Sequence, residues 1–129
     1  MAKTELPKPT DAELAILRVL WERGPSTVRE VTVAIQAERG TGYTTALKLM
    51  QIMTDKGLVQ RDDSNRSHVY EAVVPAEVTQ RQLVGDLLDR AFGGSAQQLV
   101  LQALSGRKAS RADLAEIRKL LDAMEQKSK

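Results

Sequence analysis

The chain has no cysteine and, among its 129 residues, only one tryptophan, two tyrosines and one phenylalanine. Without cysteine there is no disulfide, no thiolate metal site and no thiol switch, a composition suited to a reducing compartment. With aromatics at 3% and hydrophobic residues at 42%, the core has to be aliphatic, which favours helices over a sandwich rich in aromatic and β-branched residues. His68 is the single histidine; alone it cannot assemble a transition-metal site, and it reads as a half-exposed strand residue. No apolar run is long enough to cross a bilayer, and the N-terminal stretch MAKTELPKPTDAE lacks the apolar centre of a signal peptide. The expectation is a soluble cytoplasmic protein with no membrane partner. The same shortages leave little from which to build an active site, so no enzyme, no catalytic residue, no metal and no cofactor are expected. The net charge of +2 neither requires nor forbids nucleic acid, because local charge placement governs that affinity more than the total does.

What is present is a succession of helix signals. Met1–Pro9 reads as a loose arm, and Thr10-Asp11-Ala12-Glu13 then matches a capping box. The helix that follows carries Leu14, Leu17, Leu20 and Trp21 at helical spacing and stops at Arg23-Gly24-Pro25. Trp21 is read as core. A second box, Thr27-Val28-Arg29-Glu30, opens a helix with Val31, Ala34 and Ile35 inward, ending near Gly40.

The stretch GTGYTTALKLMQIMTDKGL, 40–58, comes next after a tight glycine-containing link. Two adjacent helices so joined form the helix-turn-helix pattern. Read as a helix, the stretch puts Ala46, Met50 and Met53 on one stripe with Leu49 beside them, and Thr44, Lys48, Gln51 and Asp55 opposite with Thr45 on the flank. Hydroxyls, an amide and a cation suit base edges and phosphates in a major groove; an ordinary solvent-facing helix is the alternative on this stretch alone. Thr41 or Gly42 is the expected N-cap, which leaves free N–H groups and the positive dipole end beside Tyr43, Thr44 and Thr45. Gly40 and Gly42 do not make a phosphate loop, since no Gly-Lys-Ser/Thr follows them.

Past Lys56-Gly57 the period changes. Residues 58–61, a polar turn over 62–66 and residues 67–74 predict a β-hairpin, the wing of a winged helix. Arg61 and Arg66 are phosphate candidates there, with Lys48 and Arg39, although Asp62 and Asp63 would repel DNA. Pro75 opens a helix with Leu83, Leu87, Leu88 and Phe92, broken at Gly93-Gly94. Ser95-Ala96-Gln97-Gln98 predicts a further box and a short helix with Leu99, Val100, Ala103 and Leu104. After a break at 105–109, a last helix from about Ser110 shows Leu114, Ile117, Leu120, Leu121 and Met124, with a fraying tail over 126–129. So short a segment seldom builds its own core. Its stripes either fold back on the winged helix or pair with a second copy, and the double glycine and separate periodicity favour pairing. The expected architecture is mainly α with a small β-hairpin: an N-terminal winged helix-turn-helix over 1–74 and a three-helix dimerisation domain over 75–129.

Several stretches taken together resemble the BlaI/MecI/CopY family of bacterial repressors, the penicillinase repressors. They are Pro9–Leu14, Val19–Val31 with its Leu-Trp and Gly-Pro, Gly42–Ala46 with its Tyr-Thr-Thr, Asp55–Val59 with its Lys-Gly-Leu, Asn65–Tyr70, Phe92–Ser95 and Leu99-Val100. The match runs through nearly the whole chain in order. The resemblance implies a homodimer that binds palindromic double-stranded operator DNA overlapping a promoter and blocks transcription. It implies that Tyr43–Lys56 is the recognition helix, with Tyr43, Thr44, Thr45 and Lys48 toward DNA; Gln51 joins them as a base-edge candidate. Relatives often carry Arg where Ile52 stands, so one expected cationic contact is missing. The resemblance further implies an upstream sensor or protease as a partner. Yet Gln102-Ala103 stands where the β-lactam branch has the cleaved Asn-Phe bond, and the metal-binding cysteines of the copper branch are absent. The alternative function is a winged helix that docks a partner protein.

Overall fold

The computed structural model of the chain describes residues 6–64, 66–106 and 108–128. In chain order they form α1 (Asp11–Arg23), β1 (Ser26–Thr27), α2 (Val28–Arg39), α3 (Tyr43–Lys56), β2 (Val59–Asp62), β3 (Val69–Ala72), α4 (Ala76–Phe92), α5 (Ala96–Gly106) and α6 (Arg111–Ser128). The three strands make one antiparallel sheet in the order β1-β3-β2, with Ser26 opposite Tyr70 on one side of β3 and Arg61 opposite Tyr70 on the other. Three helices with a small sheet, two of its strands forming a hairpin after the third helix, are a winged helix-turn-helix.

Local chemistry sets where these helices begin and end. Both N-terminal capping boxes form: Glu13 N donates to Thr10 Oγ1 at 3.2 Å and Thr10 N to Glu13 Oε1 at 2.9 Å, and Glu30 with Thr27 repeats the pair at the same distances. Gly40 ends α2 in the left-handed region at φ 68°, and Gly57 ends α3 there at φ 85°. A side chain is strained at both turns, which is why glycine stands between α2 and α3 and between α3 and the hairpin.

One aliphatic core holds this assembly. Ile16, Leu17 and Leu20 of α1, Val28, Val31 and Ile35 of α2, Ala46, Met50 and Met53 of α3, and Leu58, Val59 and Tyr70 of the hairpin are all buried. The α3 stripe is the expected one. The α1 stripe is rotated: Ile16 and Glu13 are buried, whereas Leu14 and Trp21 are only half-buried. The Trp21 ring lies at the core's edge, where its Nε1–H donates to Val74 O at 2.9 Å. On α2 the expected inward Ala34 is exposed and Thr32 is buried in its stead, because the buried positions Val28, Val31, Thr32 and Ile35 follow the i, i+3, i+4, i+7 row. Thr32 tolerates burial by donating its hydroxyl to Val28 O at 2.7 Å.

The chain divides into two compact units, one through Leu83 and one from Val84, so the division falls inside α4 and not before it. Two hydrogen bonds within the first unit hold its N-terminal residues: Gln82 Nε2 donates to Leu6 O at 3.0 Å, and Lys56 Nζ donates to Lys8 O at 3.3 Å. The described half of the expected loose arm, Leu6 to Pro9, is therefore bonded down and Pro9 is buried; Met1–Glu5 lie outside the described residues.

The second unit has the expected helices without a core. Gly94 N bonds back to Leu88 O at 2.9 Å, closing α4. Only half of the expected Ser95 box forms: Gln98 N donates to Ser95 Oγ at 3.2 Å, but Ser95 N is taken by Phe92 O at 2.9 Å. A box not foreseen joins Ser110 and Asp113, with bonds of 3.0 and 3.3 Å. The tail expected to fray is helical through Ser128, whose hydroxyl donates to Met124 O at 2.9 Å; Lys129 and Arg107 lie outside the described residues. No residue of α5 or α6 is buried, and Leu120, Leu121 and Met124 are 60%, 53% and 57% exposed. No helix among the described residues is long and apolar enough to cross a membrane.

Candidate nucleic-acid interface

Burial of Ala46, Met50 and Met53 turns the opposite side of α3 outward, and Tyr43, Thr44, Thr45, Lys48, Gln51, Ile52 and Asp55 are exposed along it. Fourteen residues give a helix of about 21 Å, the right scale for a major-groove segment. The N-cap is Gly42, which offers no side-chain bond, so the first-turn N–H groups keep their capacity for an anion.

The end of α3 is anchored through Lys56. Its Nζ lies 2.6 Å from Glu13 Oε1, the carboxylate that also completes the α1 capping box. Burial by itself would raise the Glu13 pKa, but the hydrogen bonds from Lys56 and from the Thr10 backbone, with the Lys56 charge, outweigh it and hold the carboxyl below its ordinary value. The start of α1 and the end of α3 are thus tied by one charged group, and the tie sets the pose of the exposed α3 face.

Beside the first turn of α3 lies a cleft of about 340 Å³, lined by residues including Arg29 of α2, Tyr43 and Leu47 of α3, and Arg66, Ser67 and His68 of the hairpin. No described carboxylate lines it. Among the described residues no hydrogen bond or ion pair engages Arg29, Arg66 or Lys48. Two guanidinium groups and several hydroxyls over a helix start make an anion-accepting surface. Tyr43 and Arg66 are therefore brought together. Arg29, which the sequence reading did not single out, joins them because the first turn of α2 opens onto the same cleft; a cation inside the capping box that opens the first helix of the helix-turn-helix was the available signal.

Arg61 is placed otherwise. Its Nε lies 2.7 Å from Asp63 Oδ1 and its guanidinium donates to Asp63 Oδ2 at 3.2 Å, a bidentate pair within the wing. A hydrogen bond with Tyr70 and this pairing with Asp63 both hold its pKa up. It shares a second, larger groove with Gln51, Asp55 and Asp63 on the other side of the hairpin. His68 is exposed, with Nε2 3.7 Å from Asp63 Oδ1. Arg39 is the last residue of α2 and is exposed. Asn65 lies outside the described residues.

A winged helix with an exposed threonine-rich third helix and a cationic cleft at its start belongs to the class of winged-helix transcription factors. The profile of the penicillinase repressor family matches residues 9–123, and the chain belongs to that family. It is 34% identical over 92 residues to the transcriptional regulator BlaI of Mycobacterium tuberculosis, covering 70% of this chain and 67% of that protein. It is 20% identical to the penicillinase repressor of Staphylococcus aureus, over 90% of this chain and 92% of that one. Among solved structures, the DNA-binding domain of the repressor BlaI matches with a TM-score of 0.50 at 20% identity, covering 57% of this chain and 90% of that domain. The monomeric form of Bacillus licheniformis BlaI in complex with the blaP half-operator matches with the same TM-score and identity, and 89% of it is covered. These two likenesses establish the winged-helix fold.

Proposed function

We propose that the protein is a DNA-binding transcriptional repressor that acts as a homodimer on a palindromic operator. In this reading Thr44, Thr45 and Gln51 address base edges, Lys48 takes a phosphate, and Tyr43, Arg29 and Arg66 seat the sugar-phosphate backbone in the cleft beside them. The observation that carries the reading is the juxtaposition of a hydroxyl- and amide-bearing helix face with a cleft that holds arginines and no described carboxylate. Dimerisation through the C-terminal helices is supported by the apolar side chains that α4, α5 and α6 leave in solvent, among them Leu87, Val100, Leu101, Leu114, Leu120, Leu121 and Met124. A second copy is the occupant that gives a palindrome its two-fold partner, with recognition helices about one helical turn or a multiple of it apart. The cytoplasm and a non-catalytic role follow from the same reading. An upstream sensor or protease is its regulatory partner; Gln102 and Ala103 are both exposed on α5.

A titration of the promoter upstream of its own gene against a shuffled duplex, by fluorescence anisotropy at several salt concentrations, tests this. The expected result is preferential, salt-sensitive binding of the promoter. Equal affinity for both duplexes overturns it. One observation favours the rival role of a protein-docking winged helix, namely the Asp63 carboxylate that occupies Arg61; salt-insensitive behaviour toward every duplex selects that role.

A further inference from the structure

Ile52 is the exception on the outward side of α3. From Thr44 to Asp55 the exposed residues are Thr44, Thr45, Lys48, Gln51, Ile52 and Asp55, and Ile52 alone has no donor, acceptor or charge. It is 39% exposed, one turn on from Lys48 and two turns on from Thr45, on the flank they share. It lines neither of the grooves beside the hairpin, and it is absent from the aliphatic core. The core therefore does not account for a branched aliphatic side chain there: Leu49, three residues before it, packs half-buried against the core, whereas Thr45, Lys48 and Asp55 around it are exposed and polar.

We propose that Ile52 is a specificity-determining residue that packs on the 5-methyl group of a thymine in each operator half-site. This rests on the DNA-binding role proposed above. The floor of the major groove carries hydrogen-bonding edges for every base and a single apolar feature, the thymine methyl. A helix laid there with Thr44, Thr45 and Gln51 on base edges carries Ile52 into the same groove, where an isoleucine gains free energy only against that methyl. Ile52 then discriminates thymine from cytosine at one base pair by shape and apolar contact, a selection no hydrogen bond on this flank supplies.

The test uses the full-length protein and the operator it selects from a random duplex pool. Each thymine of that operator is replaced in turn by uracil, which removes the methyl and keeps every pairing and hydrogen-bonding group, and affinities are read by anisotropy for the native chain, Ile52→Ala and Ile52→Val. Burial of one methyl predicts that uracil at one position lowers the native affinity about fourfold per half-site. In Ile52→Ala that uracil effect falls to about onefold while the effects at other thymines persist, and Ile52→Val keeps an intermediate value. Because Ile52 lies outside the core, both variants are expected to melt with the native chain, and matched melting curves establish that the readout is not misfolding. An operator whose uracil profile is the same for the native chain and Ile52→Ala overturns the assignment while leaving DNA recognition standing. Selection of no preferred duplex by the native chain overturns the DNA-binding role and the assignment together.

Discussion

Replacing Lys56 by methionine keeps an unbranched apolar stem out to the ε position and removes the charged ammonium. In the native chain Glu13 is 3% exposed and receives two bonds, from Lys56 Nζ at 2.6 Å and Thr10 N at 2.9 Å. The variant loses the first and leaves a buried carboxylate with half its partners. Removing one partner of a fully buried pair costs about 3–5 kcal/mol. Here the Lys56 side chain is 31% exposed, and the Thr10 bond survives, so the expected loss is nearer to about 1–2 kcal/mol. The pH dependence has a definite sign. A carboxyl whose folded pKa lies below its unfolded value adds stability above the unfolded value, and that stability is lost as pH falls through the folded value. In Lys56→Met burial is no longer opposed by the lysine's hydrogen bond and charge, so the Glu13 pKa moves up from its lowered native position. The two proteins should therefore differ most at neutral pH, and the gap should narrow as pH falls through the lowered folded pKa of Glu13 and its acid form takes over. Urea unfolding at neutral pH and again well into the acid range, at matched protein concentration, reads the difference directly. A gap of the same size at both pH values would refute the argument that the Glu13 charge is what Lys56 stabilises.

The remaining expectations concern the interface. Lys48→Ala should weaken promoter binding and reduce the slope of log K against log salt by about one unit, measured by anisotropy. Arg29→Ala and Arg66→Ala should each do the same while weakening promoter and shuffled duplexes equally, since a backbone contact carries no sequence information; a loss confined to the promoter would instead place that arginine on a base. Leu121→Asp should shift the protein toward monomer in sedimentation analysis and weaken operator binding at low concentration, with the melting of the N-terminal unit unchanged.

Signals contained within four or five residues are legible in the first unit from the amino-acid sequence alone, whereas in the second the Ser95 box forms by half and the Ser110–Asp113 box is not anticipated. Thr10 with Glu13, Thr27 with Glu30 and the Lys56-Gly57 terminator each specify a helix end by chemistry that needs no distant partner, and all three form. The stripe Ala46–Met50–Met53 is legible for the same reason, and it alone decides which side of α3 faces outward. Features that depend on the third dimension are not. β1 is two residues long and has no period of its own; it exists because Ser26 and Thr27 find Tyr70 and Val69 across the sheet. The choice of Thr32 over Ala34 as a buried residue follows from how α2 lies on α1 and α3, and hydrophobicity ranks the two the other way. Arg29 is hidden by its place inside a capping box, and the capture of Arg61 by Asp63 depends on the hairpin's side-chain geometry.

The modest charge of the interface explains why the two units belong to one device. Lys48, Arg29 and Arg66 are cations left unengaged near the start of α3, whereas its far end carries Asp55 and shares a groove with Asp63. With each phosphate contact contributing about 0.9 to the salt slope, a protomer so equipped has a slope of about −3 and the weak affinity characteristic of non-specific binding. Two protomers held together double the contacts and make the second half-site an intramolecular event, so affinity rises by orders of magnitude without a new contact. The leucines that α6 leaves in solvent and the threonines at the start of α3 are then two halves of one requirement. In the reading proposed above, a winged helix this sparsely charged discriminates an operator only once a second copy is joined to it.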